Sequence, residues 1–537
     1  MDAQDDTASQ DAFIARFLTD PDGSVFALTG LPEVVKGAVF ARYSRSPSGV
    51  KDLLRDEFAA DLADEGVAER ADALYAKVFG DYGDDSVAQL GGAHVALEGI
   101  SNIATKRIEW GRLAAYLEQS TRYIAYDEPV DGRYRYHREA AIMASPYAQR
   151  YEEVLDHLFA TYASLLPVVT AWARQRFPHE AGTSERAWQA ATRAKALDLI
   201  RGLLPAATTA NVGMFASGQA YEALLLRLAA DPLAESQELG KRLLVELRKV
   251  IPSFVARVDR PDRGHVWRDY LRDTREDTRA LAARHVIGPA RTSDGPVTLV
   301  DWWPRDPVAA EIALVVAALL PHVTLSEHQL EEQVRTWPSE QRAEVLRAYV
   351  GDRVNRRHRP GRAFERVVYR FDVLGDYGGF RDLQRHRMCT IEWQRLTTEH
   401  GYDTPEELED AGVADAWHEA LGRAEALHRD LVQDFPEEAQ YVVPFAFRIR
   451  YSVQINARAA MQMLELRSTP QGHPQYRSIV QAMHRAIEQV AGHTAIADAM
   501  VHMDHGSGDL ERLESERALE RRRSQRRAAQ SQQDADE

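Results

Sequence analysis

SNIATKRIEWGRLAAYLEQSTRY (residues 101–123) and DYGGFRDLQRHRMCTIEWQRLTT (376–398) align without a gap at a spacing of 275 positions, the distance from Arg112 to Arg387. The same spacing carries PEVVKGAVFARYSRSP (32–47) onto PVAAEIALVVAALLPH (307–322), each a proline followed by small and apolar residues at helical intervals. A third pair, AYEALLLRLA (220–229) and AMQMLELRST (460–469), is offset by 240 positions, so the first copy carries about 35 extra residues ahead of it. A recurring interval of this kind marks an internal repeat. The reading adopted is two diverged tandem copies of one unit, each of 200 or more residues, against a chance likeness of helical patterns.

Working outward, the expected organisation is a disordered N-terminus (1–20), repeat 1 (21–258), an arginine-rich connector (259–296), repeat 2 (297–506) and a charged tail (507–537). The tail is charged on all faces and reads as a solvated helix or tail rather than a functional arm. ARAAMQMLELR (457–467), ALDLIRGLLP (196–205) and SIVQAMHRAIEQV (478–490) have helical periodicity. Strands are expected at 297–303, 366–374 and 445–455, the last alternating with period two. The fold class is α+β, a mixed sheet flanked by long helices. Regular βαβ alternation and a GxGxxG turn are both missing from the sequence, which weighs against a Rossmann cofactor domain.

Composition narrows the partners. The 537 residues are 45% hydrophobic and 28% charged, normal for a globular protein. The net charge of −16 repels nucleic acid and anionic membranes, so neither is an expected partner. Seven lysines all precede Val250 and every other strong base is arginine, so anion sites here are built from guanidinium forks. A single cysteine, Cys389, excludes intramolecular disulfides and Cys-built metal cages, and reads as a buried inert thiol. His502 and His505 lack a matching ligand cluster, so no metal is expected. The acidic start lacks the basic n-region of a signal peptide, and no apolar run reaches the roughly 18 residues of a membrane span; the expectation is a cytoplasmic protein.

Three constellations have the chemistry to bind anions. Arg385-His386-Arg387, taken as helical, points its arginines roughly 200° apart and so at two ligands, or else is a surface ion-pair cluster. Gln119-Ser120-Thr121-Arg122-Tyr123 brings a hydroxyl and a guanidinium onto one anion if it forms a turn, an arrangement that suits phosphate. Its alternative is an ordinary helix C-terminal turn. Asn456-Ala457-Arg458 and Arg467 share a helix, with Asn456 and Arg467 about 20° apart on one face and about 16 Å apart along the axis. That helix reaches both ends of an elongated ligand, or is a plain amphipathic helix.

Together these motifs resemble the flavin-dependent thymidylate synthases of the ThyX type, whose signature reads RHRxxSxxxxSxR, with a later helix NxR…LxLR. The second copy keeps Arg385, His386 and Arg387, has Thr390 for the first serine, and departs at Arg395 and Thr397. Its late helix keeps Asn456, Arg458, Leu466 and Arg467, with His473 following; Glu365 resembles an upstream family glutamate. The first copy is the reverse. It has Trp110 and Gly111 in place of Arg and His but keeps Arg112, Glu118, Ser120 and Arg122, with Arg201 before its Leu-Pro and Arg227 late. The losses are complementary, one copy keeping a flavin side and the other a nucleotide side.

The resemblance implies reductive methylation of dUMP to dTMP, with FAD as cofactor and NADPH and methylenetetrahydrofolate as co-substrates. By resemblance, Glu118, Ser120, Arg122, Arg201 and Arg467 take the nucleotide. Arg385, His386, Arg387, Asn456, Arg458, Leu466, His473 and Glu365 take the flavin, and Arg467, Arg385 and His386 border the chemistry. One composite site per pair of copies is expected, in a homodimer that mimics a tetramer. Two alternatives are a related flavoenzyme on another pyrimidine nucleotide and a non-catalytic nucleotide- or flavin-binding homologue.

Overall fold

The computed structural model of the chain describes residues 11–44, 46–58, 87–286, 295–506, 510 and 513–536. The acidic pair Asp84–Asp85, read from sequence as solvated charge, lies outside them, as do residues 1–10 and 287–294. In chain order the elements that matter here are strands β1 (Gly92–Ser101), β2 (Ala114–Glu118) and β3 (Thr209–Ser217), then β4 (Val297–Trp303), β5 (Val368–Asp376), β6 (Cys389–Trp393) and β7 (Arg448–Asn456). The helices are α1 (Ala148–Arg176), α2 (Glu185–Ile200), α3 (Gly218–Ala230), α4 (Gly264–His285), α5 (Tyr377–Leu383), α6 (Ala414–Asp434), α7 (Ala457–Arg467), α8 (Pro474–Gln489) and α9 (Leu513–Asp536).

The chain divides into two compact units. Unit 1 takes Met1–Ile100, Arg107–Glu118 and Ala210–Pro289; unit 2 takes Ser101–Lys106, Gln119–Thr209 and Ala290–Glu537. The division runs through the first copy: its residues 119–209 fold with the second copy.

Unit 1 holds a three-stranded sheet in the order β1-β3-β2, with Ala114 opposite Ala216 in the antiparallel β2–β3 pair. Unit 2 holds a four-stranded sheet, β4-β5-β7-β6, antiparallel throughout, with Val368 opposite Asn456 and Cys389 opposite Ile455. The expected mixed sheet is thus two sheets whose described pairings are all antiparallel. The strand-to-helix joints repeat. Asn456 Oδ1 accepts from Ala459 N (2.8 Å) to cap α7, and Ser217 Oγ accepts from Ala220 N (3.4 Å) to cap α3. Asn and Ser cap because their short oxygens reach an orphan amide of the first turn. Alternating burial along β7 sends Ile449, Tyr451, Val453 and Ile455 into the core, against Phe371 and Val373 of β5.

Two segments of unit 2 meet about a local twofold. Ala206 N donates to Val443 O and Phe445 N to Leu204 O, both at 2.9 Å; Ala207 N donates to Tyr441 O (2.8 Å) and Ala446 N to Gly202 O (3.0 Å). Each bond has its mate 239 positions away, as a self-complementary joint between two copies requires. This joint fixes Arg201, the residue before Gly202.

Four expectations need correction. Helix α1 is long and apolar enough to cross a membrane by length and composition, but 56% of that window is buried inside the protein, where α1 packs on α2 and α6 as a core helix. Within the N-terminus expected to be disordered, Ile14 and Leu18 are buried, since apolar side chains in a polar stretch gain by docking. The connector is largely the helix α4, which folds with unit 1 and packs on α3. The tail is a docked helix rather than a solvated one: Arg517 Nε donates to Thr183 Oγ1 (3.0 Å), and Ser184 Oγ bonds Glu520 (2.5 Å).

Candidate functional site

The QSTRY segment forms a turn. Tyr123 N and Ile124 N donate to Ser120 O, and Ser120 Oγ accepts from Arg122 N at 3.2 Å. This aims Arg122 at Asp198 of α2, where Nε and Nη2 each donate at 2.7 Å, a bidentate fork. Arg122 Nη1 donates to Tyr476 Oη (3.2 Å) and Nη2 to the Gln471 carbonyl (3.1 Å). Burial works against the charge of Arg122, but Asp198 outweighs it and holds the guanidinium above its ordinary value.

The RHR segment is not helical. Helix α5 is capped by Asp376, whose Oδ1 accepts from Gly379 N (2.8 Å), and ends at Leu383. Residues 385–387 form the turn into β6, so the 200° separation of their arginines does not apply. Arg385 folds back on Asp382, Nη2 to Oδ1 at 2.5 Å, while Arg387 is exposed. Arg467, at the end of α7, reaches the same carboxylate: Nη1 lies 3.3 Å from Asp382 Oδ1 and Nη2 donates to the Asp382 carbonyl at 2.7 Å. Arg467 Nε donates to His386 Nε2 at 2.9 Å. An imidazole that accepts there is neutral, its proton on Nδ1. Burial, reinforced by Arg467 and Arg385, lowers the His386 pKa to about 3.

Arg201 completes the cluster, with Nη1 4.0 Å from Asp382 Oδ2. It is 3% exposed, and its Nη2 has no hydrogen-bond partner among the described residues. Burial and then Arg122 push its pKa down. A side chain at Gly378 would press on this nitrogen, since a Cβ there would sit 3.4 Å away. Burial alone would raise the Asp382 pKa, but Arg385, Arg467, Arg201 and Arg122 hold it well below the carboxylate range. Asp376 shows the opposite balance: burial raises it to about 7 despite Arg201. The Tyr476 ring lies under both Arg122 (6.0 Å) and Arg467 (5.5 Å). Four guanidiniums face the carboxylates of Asp198 and Asp382, with Asp376 beside Arg201 held part-protonated by burial, which leaves an excess of positive charge. A phosphomonoester, at roughly −1.5 to −2 near neutral pH, suits that excess.

The structure therefore brings Ser120, Arg122, Arg201, Arg385, His386 and Arg467 together inside unit 2, drawn from both copies. His473 joins them: it caps α8 and its Nε2 lies 3.2 Å from the Asp198 carbonyl. Burial, then Arg201, holds its pKa well below the usual imidazole value. Arg458 and Glu365 form a separate pair (3.4 Å), with Arg458 Nε on the Pro360 carbonyl, at the far end of α7 beside Asn456. Leu466 is half-buried. Glu118 closes β2 of unit 1 and is not among the residues gathered in unit 2. Cys389 is buried with Sγ on the His386 carbonyl (2.6 Å). Sequence reasoning missed Asp198, Asp382 and Tyr476. The two acids stand three positions before Arg201 and Arg385, a helical spacing open to reading; Tyr476 carried no such signal.

Comparisons with known proteins agree with the repeat. The profile of the family described as thymidylate synthase complementing protein matches residues 32–253 and again 299–492. A UPF0159 protein of Chlamydia pneumoniae is 40% identical over 494 residues, covering 90% of this chain and 92% of its own. One from Chlamydia muridarum is 38% identical over 516 residues (94% and 96%), and one from Thermoplasma acidophilum 30% over 506 (90% and 97%). Among solved structures, a UMP/dUMP methylase, PolB, from Streptomyces cacaoi bound with 5-Br dUMP matches at a TM-score of 0.30 and 22% identity, over 40% of this chain and 98% of that one. Two matched segments spanning most of the sequence mean that the chain belongs to the thymidylate synthase complementing protein family, as a tandem duplication of its unit.

Proposed function

We propose that the chain is a flavin-dependent thymidylate synthase-like enzyme that methylates dUMP to dTMP. One observation carries the reading: four guanidiniums from both copies converge on Asp382 and Tyr476 with positive charge to spare. Arg201, with an orphaned buried nitrogen, and Arg122, presented by the Ser120 turn, take the phosphate. Arg467 faces the uracil ring and stabilises the negative charge that develops as C5 becomes nucleophilic. Neutral His386 holds Arg467 in place by accepting from Nε.

The residues present also suit FAD. Arg458 and Asn456 at the head of α7 offer donors: Asn456 spends its oxygen on the helix cap and keeps its amide N–H groups, and Arg458 Nη2 has no partner among the described residues. Arg387, His386, His473 and Glu365 complete the set. A bound flavin would supply the redox chemistry, with NADPH as electron source and methylenetetrahydrofolate as one-carbon donor. The assembly proposed is a homodimer of fused pairs. The test is the ultraviolet-visible spectrum of the purified protein with and without dUMP, followed by dUMP-dependent tritium release from C5. Flavin absorbance perturbed by dUMP, with release, supports the reading; a colourless protein that takes up no FAD overturns it. The departures at Thr390 and Arg395 favour a second reading, another pyrimidine nucleotide as substrate, which flavin absorbance without tritium release would support.

A further inference from the structure

Unit 1 has its own cavity, about 300 Å³, lined among others by Gly111, Arg112, Tyr116, Glu222, Arg227 and Trp267. It stands where the first copy has lost the acceptors of the second. In unit 2, Arg467 Nε is satisfied by His386 and its Nη1 by Asp382. At 275 positions earlier these acceptors are Gly111 and Arg107, and Arg107 is engaged with Asp231 (3.2 Å). The arginine itself survives. Counted from the helix cap, Arg227 comes one residue sooner than Arg467, yet its Nη2 would lie only 3.5 Å from a Cβ at Gly111.

Among the described residues Arg227 therefore has no ion-pair partner. Its guanidinium lies over the Trp110 ring (5.6 Å), and its buried Nε has no hydrogen-bond partner among the described residues. The nearest acid of the cavity wall, Glu222, is committed to Arg257 through two bonds of 2.9 and 2.6 Å. Gly111 keeps the space open: a side chain there would meet Tyr116 Oη at 2.6 Å. A half-buried cation whose buried Nε lacks an acceptor is costly unless something external satisfies it. The rest of the wall is mostly apolar, from Leu113, Ala114, Met214, Ala220, Ala223 and Leu224, with the Gln219 amide, whose oxygen accepts from Gln89, as its other polar member. The volume falls at the small end of ligand cavities.

We propose that this cavity is a second ligand site, separate from the guanidinium cluster of unit 2, and that it takes a small organic anion with an apolar or aromatic body, its carboxylate or phosphate on Arg227. Deleting the internal acceptors turned a filled position into a receptor.

The test uses the full chain and calorimetric titration with benzoate, phenyl phosphate and the neutral benzyl alcohol. Saturable binding of benzoate or phenyl phosphate, not of benzyl alcohol, is expected. Arg227→Met should weaken it at least tenfold, and Arg467→Met should leave the benzoate isotherm unchanged. Which anion binds tighter distinguishes carboxylate from phosphate. Because the variant removes a half-buried charge and its unpaired Nε, Arg227→Met should also raise the Tm of the ligand-free protein and abolish the rise that benzoate gives wild type. Binding that survives Arg227→Met, binding of neither anion, or a lowered Tm would each overturn the proposal.

Discussion

Helices α3 and α7 leave equivalent strands through the same kind of cap and each carries an arginine in its last turn, yet the two arginines live differently. Arg467 is held by a histidine and an aspartate; Arg227 has an indole face and a cavity. The scaffold outlasted the chemistry. Strand pairing and capping depend on backbone geometry that many sequences satisfy, whereas an ion cluster depends on each of its members. The sheets differ in the same way. The outer face of unit 2 is charged, with Arg450 on Asp372 (2.5 Å) and Arg370 near Asp301 (3.4 Å); that of unit 1 shows Ala115, Leu117, Gly213 and Phe215.

The comparison is most exposed at the buried Arg353–Glu465 pair, bonded at 2.6 Å through both carboxylate oxygens. Glu465 lies in α7, where α3 has the buried Leu225 and Leu226. Glu465→Ala should cost about 3–5 kcal/mol by stranding Arg353, while the double change to leucines should cost far less, as judged by urea denaturation. A double variant as unstable as the single would mean that α7 cannot adopt the apolar solution of α3.

Asp382→Ala strands three guanidiniums and should cost about 2–4 kcal/mol, less than a fully buried pair because Arg385 and Arg467 are partly solvated. The folded carboxyl titrates well below its unfolded value near 4, so this stability is complete above about pH 4 and fades as pH falls further. The gap between wild type and Asp382→Asn should therefore narrow in acid-titration melts.

Arg122→Ala removes charge-assisted bonds worth roughly 1.5–3 kcal/mol and should weaken dUMP binding by about tenfold to a hundredfold with flavin retention intact. Arg458→Ala should do the reverse. Equilibrium dialysis with each ligand reads this, and loss of the same ligand in both variants would erase the division of labour between the copies.

The smallest effect belongs to Asp376. Its folded pKa, about 7, stands above its unfolded value, so the folded state binds the extra proton between about pH 4 and 7 and stability falls as pH rises through that window. Asp376→Asn keeps the oxygen that caps α5 and should flatten the Tm profile across it. An unchanged slope would assign the pH dependence elsewhere.

Much of this was readable in advance where the signal is local. Helix 457–467 is legible from the helical spacing of its apolar residues, although Asn456, counted with the helix, proves to be its cap; three of the strands alternate or run apolar between turns. The two copies announced themselves by spacing. What failed needed distant partners. The RHR turn looked helical, but α5 stops at Leu383 and Gln384 Nε2 donates to the Lys106 carbonyl, some 280 positions away. Tyr476 and Asp198 are brought together by Arg122, which bonds both from a distant turn, and no periodicity encodes that. The tail read as free because its polar side chains find polar partners at Glu180, Thr183 and Ser184 just ahead of α2, not because it lacks them.

The interleaved boundary of unit 2 has a consequence for how the chain is made. Helices α1 and α2 leave the ribosome with the first copy, but α6, which covers α1 and is tied to it by Arg150–Asp430 and His157–Glu419, is translated more than two hundred residues later. Until then the apolar face of α1 waits uncovered, a state of high contact order that invites aggregation. A nascent chain arrested in the connector would present that face to any chaperone at the exit tunnel, and the two halves expressed apart should be poorly soluble unless they are made together.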